Sequence, residues 1–216
     1  MVLGTRQDGS ERDSRTRLVL IRHAESIANT SRVFGGHETC RGLTDEGRAQ
    51  AAALRDRLAA AGGIPATALF TSDLRRAIET AGIVAPSIGA GRYEAQRRCD
   101  LCELHWGDME GQPTETYRGV DTIYQPVATG GGESWLRFML RCRRALEDVA
   151  KQCAGRTAVI VTHAGVIRAS MYHFARIPDR RAVELDIEYT GITVWSTTAG
   201  DRRWRLETYN DHAHLA

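Results

Sequence analysis

Three short apolar runs each end in residues suited to holding or attacking an anion. Residues 18–21 (LVLI) lead into Arg22 and His23. Residues 66–70 lead into Thr71 and Ser72, with Arg75 and Arg76 just beyond, and residues 158–161 (AVIV) lead into Thr162 and His163. Guanidinium forks bind phosphate oxygens through paired hydrogen bonds. A cation ~4 Å from an anionic oxygen contributes on the order of 4 kcal/mol at an effective dielectric of 20. Two arginines therefore offset the charge with which a phosphate monoester repels a nucleophile. An uncharged imidazole is such a nucleophile, and covalent catalysis splits one difficult displacement into two easier ones. A metal site on the two histidines lacks a third ligand at helical or hairpin spacing. One histidine after a strand is usually structural; the joint pattern carries the reading.

The elements that must position these groups alternate along the chain. Unbroken apolar runs such as 18–21, 66–70 and 158–161 suit strands buried on both faces. Helical spacing over 44–61 has Thr44 as its cap, Asp45 and Glu46 in the first turn and Gly62-Gly63 at its end. Ser72 is a candidate cap for a second helix that stops at Pro86. Trp135, Phe138, Cys142, Leu146, Val149 and Cys153 mark a long amphipathic helix, and another is expected over 166–174. Strands are expected at 183–187, 192–195 and 204–209, with a turn at Ala199-Gly200-Asp201. The alternation predicts an α/β fold: a three-layer α/β/α sandwich on a mostly parallel central sheet, with closing strands that pair antiparallel. Ligands of such sheets bind beyond the carboxyl ends of the strands. The irregular stretch of about 87–132 is expected to be an insertion that caps the substrate.

The 216 residues suit one domain, 17–216, after a flexible polar tail at 1–16. Hydrophobic residues are 42% and charged ones 26%, which argues against a disordered chain. With 29 basic against 27 acidic residues, net charge offers nothing to steer nucleic acid. No run approaches a membrane helix and the start has no apolar signal segment. Together with five cysteines, an odd count, this suggests reduced thiols in a cytoplasm. Cys99 and Cys102 form a lone C-x-x-C. With no second cysteine pair and no βαβ redox context it reads as coincidence, and no metal site is expected.

The segment Leu20-Ile21-Arg22-His23-Ala24-Glu25-Ser26 resembles the Arg-His-Gly signature of the histidine phosphatase superfamily. Thr71-Ser72-Asp73-Leu74-Arg75-Arg76-Ala77 looks like that family's S-x-L-x-R-A motif, and Leu101, Glu103, Gly107, Glu110 and Gly111 fit its L-x-E-x-x-x-G-x-x-E-G. Further matches are Leu43-Thr44 with Gly47, Gly131-Gly132-Glu133-Ser134, Val161-Thr162-His163-Ala164-Gly165, and Asn210-Asp211 with His214-Leu215. The resemblance runs from about Arg17 to Leu215. It implies that His23 is the phosphorylated nucleophile and Glu103 the proton donor and later base. It further implies that Arg22, Asn29, Arg76, His163 and the backbone N–H of Ala164 hold the phosphoryl group. Arg75 is then a rim cation and Glu25 a structural carboxylate. Ala24 departs from the family's usual glycine.

The resemblance leaves hydrolysis and mutase action as outcomes, with a non-catalytic binding module as a third class. Retention of Arg22, His23 and Glu103 argues against the last. Mutases usually carry tryptophan where Ala28 stands, and Glu103-Leu104-His105-Trp106-Gly107 resembles a mutase run whose arginine has been lost. The expectation is a phosphatase of a small phosphorylated metabolite, needing no cofactor and no nucleic-acid or membrane partner; a homodimer is left open. Phe34, Gly35 and Gly36, with Trp106, Tyr117 and Tyr124 of the insertion, are the expected substrate walls.

Overall fold

Strand β1 (Arg15–Arg22) grows from the first apolar run, and all its residues from Leu18 to Ile21 are buried. The computed structural model describes residues 15–117, 124–177, 183–201 and 203–216. After β1 come α1 (Ile27–Thr30), α2 (Asp45–Ala60), β2 (Ala68–Ser72), α3 (Arg75–Val84), β3 (Gln96–Arg98), α4 (Trp135–Gln152), β4 (Thr157–Thr162), α5 (Ala164–Phe174), β5 (Ile192–Thr198) and β6 (Arg205–Asp211). The six strands form one sheet in the order β3-β2-β4-β1-β5-β6. β3, β2, β4 and β1 run parallel, while β5 and β6 close the sheet antiparallel, as the sequence predicts.

Alternation along the central strands separates two cores. Leu18, Leu20, Ala158 and Ile160 meet Leu146 and Val149 of α4 and Ile167 and Met171 of α5. Val19, Ile21, Val159 and Val161 meet Leu54 of α2 and Ala77, Ala81 and Val84 of α3. Helices thus cover both faces, giving the expected three layers. Register also fixes the chemistry: Leu18 stands opposite Ala158 and Arg22 opposite Thr162, so the residues that follow, His23 and His163, emerge side by side. A slip of one residue would exchange the two faces and separate the two rings.

Several boundaries differ from the sequence expectations, each for a local reason. β1 starts at Arg15, inside the segment expected to be tail; the rest of that tail lies outside the described residues. α3 begins at Arg75 because the Ser72 hydroxyl accepts the Leu74 N–H in a tight turn before the helix. α5 begins at Ala164 rather than 166. The stretch 183–187 is not a strand. Its carbonyls accept from side chains instead: Leu185 from Arg168, Asp186 from the Tyr209 hydroxyl and Ile187 from Arg22. The irregular stretch of 87–132 contains the edge strand β3, whose polar QRR sequence has no alternation to reveal it.

Thr44 caps α2 by accepting from the Gly47 N–H, and a Cβ on Gly47 would overlap the Glu25 carbonyl oxygen. Gly82 of α3 has nothing within 4 Å of the same position. Gly47→Ala should therefore lower stability by about 1–3 kcal/mol, whereas Gly82→Ala should raise it by about 0.5–1 kcal/mol. Urea midpoints of the two variants check the contrast.

Candidate active site

His23 follows β1, and its backbone N–H donates to the Thr162 carbonyl of β4 (2.8 Å). Ala24 is fully buried, its N–H donates to Thr80 Oγ1 (3.1 Å), and it keeps an ordinary negative φ, so no glycine is required there. The His23 ring is buried with Nδ1 2.7 Å from the Ala24 carbonyl oxygen. A carbonyl only accepts, so Nδ1 carries the proton and Nε2 the lone pair. Arg76 confirms that assignment by donating from Nε to His23 Nε2 (3.1 Å). Burial, and then the Arg76 and Arg22 charges, hold the His23 pKa well below the usual imidazole value, overriding the Ala24 carbonyl. The ring is therefore an uncharged base whose lone pair faces a guanidinium.

Arg76 is buried on the first turn of α3, and its Nη1 donates to the Gly35 carbonyl (3.1 Å). Arg75 points outward and pairs with Glu79 (2.7 Å), which assigns the inward role to Arg76. Arg22 lies 4.0 Å over the Tyr189 ring and donates through Nη1 to the Ile187 carbonyl. The C-terminal residues brace this holder. Asn210 Oδ1 accepts the Glu188 N–H (2.8 Å), His214 Nε2 meets Thr190 Oγ1 (2.7 Å), and Arg57 grips Asp211 through two bonds (3.0 and 2.6 Å).

His163 caps α5, and its ring centroid is 5.0 Å from that of His23. His163 Nε2 lies 2.7 Å from Ser72 Oγ, while Nδ1 is buried without a partner, as is Arg22 Nε. Unpartnered buried polar groups cost about 1–3 kcal/mol each, so Arg22 Nε, an obligate donor, and His163 Nδ1 point to a ligand that takes up their hydrogen bonds. His163 Nδ1 bears the proton, and is then a donor, in the tautomer whose Nε2 accepts the hydroxyl proton that Ser72 otherwise gives to Cys102 Sγ. The α5 N-terminus opens at Ala164, whose N–H has no intrahelical acceptor and lies at the positive end of the helix dipole. Burial first, then Arg76, keeps His163 well below its ordinary pKa as well.

Glu103 reaches the same helix end. Its Oε2 accepts the Gly165 N–H and its Oε1 the Leu104 N–H, both at 3.1 Å. A Cβ on Gly165 would overlap Glu103 Oε1, so this glycine makes room for the carboxyl group. Arg141 of α4 anchors the backbone beneath, donating to the carbonyls of Asp100 (3.0 Å), Cys102 (2.9 Å) and Glu103 (3.1 Å). Glu133 binds Arg141 through both oxygens (2.8 and 2.6 Å). Although burial opposes it, the Arg141 contact holds the Glu133 carboxyl below its usual range. A cleft of about 400 Å³ opens beside Glu103, lined among others by His37, His105, Trp106 and Glu110.

Arg22, His23, Arg76, His163, Ala164 and Glu103 thus converge from three strand ends and the irregular segment after β3. Asn29 stands apart: it is exposed, and its Oδ1 accepts from the Ser26 hydroxyl (2.6 Å). The Glu25 carboxylate accepts from the Thr44 hydroxyl (2.7 Å). Phe34, Trp106 and Tyr117 form a ring cluster, with Phe34 and Trp106 centroids 4.0 Å apart. Tyr124 is 75% exposed and takes no part in that cluster. Sequence reasoning missed Tyr189 and Arg141. Tyr189 sits in irregular chain, and Arg141 reads as one more charge on an amphipathic helix.

Both rings stay uncharged in the fold but titrate near pH 6.5 when unfolded. Below pH 6.5 the unfolded chain binds protons that the folded chain does not. Stability should therefore be fully present above pH 6.5 and fall as pH drops from there, by up to ~1.4 kcal/mol per pH unit per imidazole. His163→Asn should flatten the urea-derived stability slope between pH 6.5 and 5 by up to that amount. An unchanged slope would mean the ring is already charged in the fold.

The sequence profile of the histidine phosphatase superfamily (branch 1) matches residues 18–212. Phosphoglycerate mutase-like protein 4 of Arabidopsis thaliana is 36% identical over 208 residues, covering 92% of this chain and 86% of its own. The metal-independent phosphoserine phosphatase of the same plant is 29% identical over 211 residues, covering 93% and 84%. Among solved structures, Bacillus stearothermophilus YhfR superposes with a TM-score of 0.77 at 28% identity, over 93% of this chain and 99% of its own. Profile, relatives and geometry agree: the chain belongs to the histidine phosphatase superfamily, branch 1, and is one of its enzymes.

Proposed function

We propose that the chain is a metal-independent phosphatase that hydrolyses a small phosphate monoester through a phosphohistidine on His23. One observation carries this reading: the His23 Nε2 lone pair faces the Arg76 guanidinium, with Arg22 Nε and His163 Nδ1 unpartnered nearby. A phosphoryl group placed among those donors has its phosphorus in front of the nucleophile. Nε2 forms the P–N bond as the P–O bond to the leaving group breaks, and Glu103 gives that oxygen its proton. Glu103 then takes a proton from water as the water attacks phosphorus. The P–N bond breaks, phosphate leaves and the neutral imidazole returns. Asn29, with its carbonyl end tied to Ser26, is proposed to contribute once substrate is bound.

Hydrolysis is favoured over phosphoryl exchange between two anionic positions. No arginine or lysine lines the cleft beside Glu103 among the described residues, whereas Glu38, Asp108 and Glu110 do. Leu104, where a mutase would carry a cation, packs against the Phe138, Cys142 and Val166 cluster. Ala28 is buried against Gly35, whose own added Cβ would come within 2.7 Å of the Ala28 methyl, so no indole fits there. The substrate is thus expected to carry one phosphoryl group and no second strongly anionic end.

Wild-type protein should release phosphate from an aryl phosphate with a chelator present. His23→Ala should not, and the acid-labile phosphoprotein trapped by rapid quenching should vanish with it. Near-normal turnover by His23→Ala would refute the nucleophile. Glu103→Gln should slow alkyl phosphates by about 10²–10⁴-fold and aryl phosphates far less, since their leaving groups need little protonation. Equal slowing of both classes would remove Glu103 from the acid role.

A further inference from the structure

Three side chains that phosphoryl transfer does not use meet at the mouth of the cleft. His37 comes from the loop after α1, Cys99 from the turn after β3, and His105 from the segment that follows Glu103. Cys99 Sγ lies 3.6 Å from His37 Nε2 and 3.9 Å from His105 Nε2, and one donor atom from each residue falls within 4.8 Å of the other two. Tetrahedral zinc with Zn–S ~2.3 Å and Zn–N ~2.05 Å separates its sulfur and nitrogen ligands by about 3.6 Å. The geometry points to a binding site for Zn²⁺, or another borderline-soft divalent ion, on His37, Cys99 and His105.

The donors are held before any ion arrives. Glu110 Oε1 accepts the backbone N–H groups of Glu38 (2.6 Å) and Thr39 (2.9 Å), which fixes the turn carrying His37. Arg141 donates to the Cys99 carbonyl (3.4 Å). His105 exchanges two hydrogen bonds with Glu133, through its own N–H (3.1 Å) and its carbonyl (2.9 Å). Glu133 Oε2 also lies 3.9 Å from His105 Nδ1, the side opposite the proposed ion. A carboxylate on that side attracts the Nδ1–H of a ring that ligates through Nε2.

Cys102 is not part of this site. It is buried, and its sulfur faces Ser72 Oγ at 3.3 Å. The C-x-x-C spacing is thus coincidental as a cysteine pair, yet one of its members finds two histidines that lie 62 and 6 residues away. Three donors leave zinc a fourth position for water or an anion. Since His37 and His105 line the cleft beside Glu103, the bound ion stands in the substrate's path and slows turnover. That last step rests on the phosphatase reading; binding does not.

Cobalt(II) titrated into the full chain under reducing conditions should bind one to one and give a cysteinate-to-cobalt charge-transfer band, which Zn²⁺ displaces. Cys99→Ser should abolish the band, and Cys99→Ser and His37→Ala should each weaken Zn²⁺ by more than the 10–100-fold typical of losing an outer-shell partner. His23→Ala should leave binding unchanged, which separates this site from the nucleophile. Absence of the band, or an affinity untouched by Cys99→Ser, overturns the site. So does loss of binding in Cys102→Ser with folding intact, because the cysteine pair would then be the ligand. Zn²⁺ should inhibit aryl phosphate hydrolysis by wild type but not by Cys99→Ser, and equal inhibition of both overturns the effect on turnover alone.

Discussion

Two guanidinium groups and two uncharged imidazoles share one buried spot, and the parallel register of β1 and β4 puts them there. Among the described residues neither Arg22 nor Arg76 makes an ion pair with a carboxylate. Arg22 rests on the Tyr189 ring and the Ile187 carbonyl, and Arg76 on Gly35 and His23. Buried cations without counter-charges are costly. The fold bears that cost because each cation is held by elements that are themselves well packed. In the proposed reaction a phosphate dianion supplies the missing charge, so binding relieves what folding leaves unsatisfied. The same cations suppress protonation of His23, which keeps its Nε2 lone pair available.

A second layer of contacts holds Glu103, the proposed proton donor. The Arg141–Glu133 pair is largely buried and ties α4 to the backbone between residues 99 and 105. Breaking a buried pair by removing one partner typically costs about 3–5 kcal/mol, so the pair is a strong constraint on the segment it grips. Glu103 then meets the α5 N-terminus through Gly165, two residues from His163. His23, the proposed nucleophile, sits at a strand end in the centre of the sheet, and Glu103, the proposed acid, sits on an irregular segment clamped to a helix. The proposed phosphate cradle is thereby fixed by the core, while the shape of the rest of the cleft is left to loops.

Much of this was legible in the residues. The runs LVLI and AVIV, each ending in a histidine, announce parallel strands whose carboxyl ends carry chemistry, and Thr44 announces the start of α2. The S-x-L-x-R-A spacing separates Arg76 from Arg75, and the structure buries one and exposes the other. Other features leave no local pattern. β3 is three polar residues whose only strand signal is its neighbour β2. The stretch 183–187 has strand-like composition, but its carbonyls are taken by Arg168, Tyr209 and Arg22, residues distant in sequence. Tyr189, Arg141 and the meeting of His37, Cys99 and His105 likewise depend on long-range contacts, which periodicity and spacing do not encode.

The account turns on the state of one ring. Nitrogen-15 correlation spectra of the histidine side chains, recorded from pH 8 to pH 5 in phosphate-free buffer, observe it directly. His23 should show the neutral form protonated on Nδ1, with Nε2 bare, across that whole range. A His23 ring protonated on Nε2, or one that gains a proton with a midpoint near 6.5, would contradict the account, because the lone pair facing Arg76 would not exist.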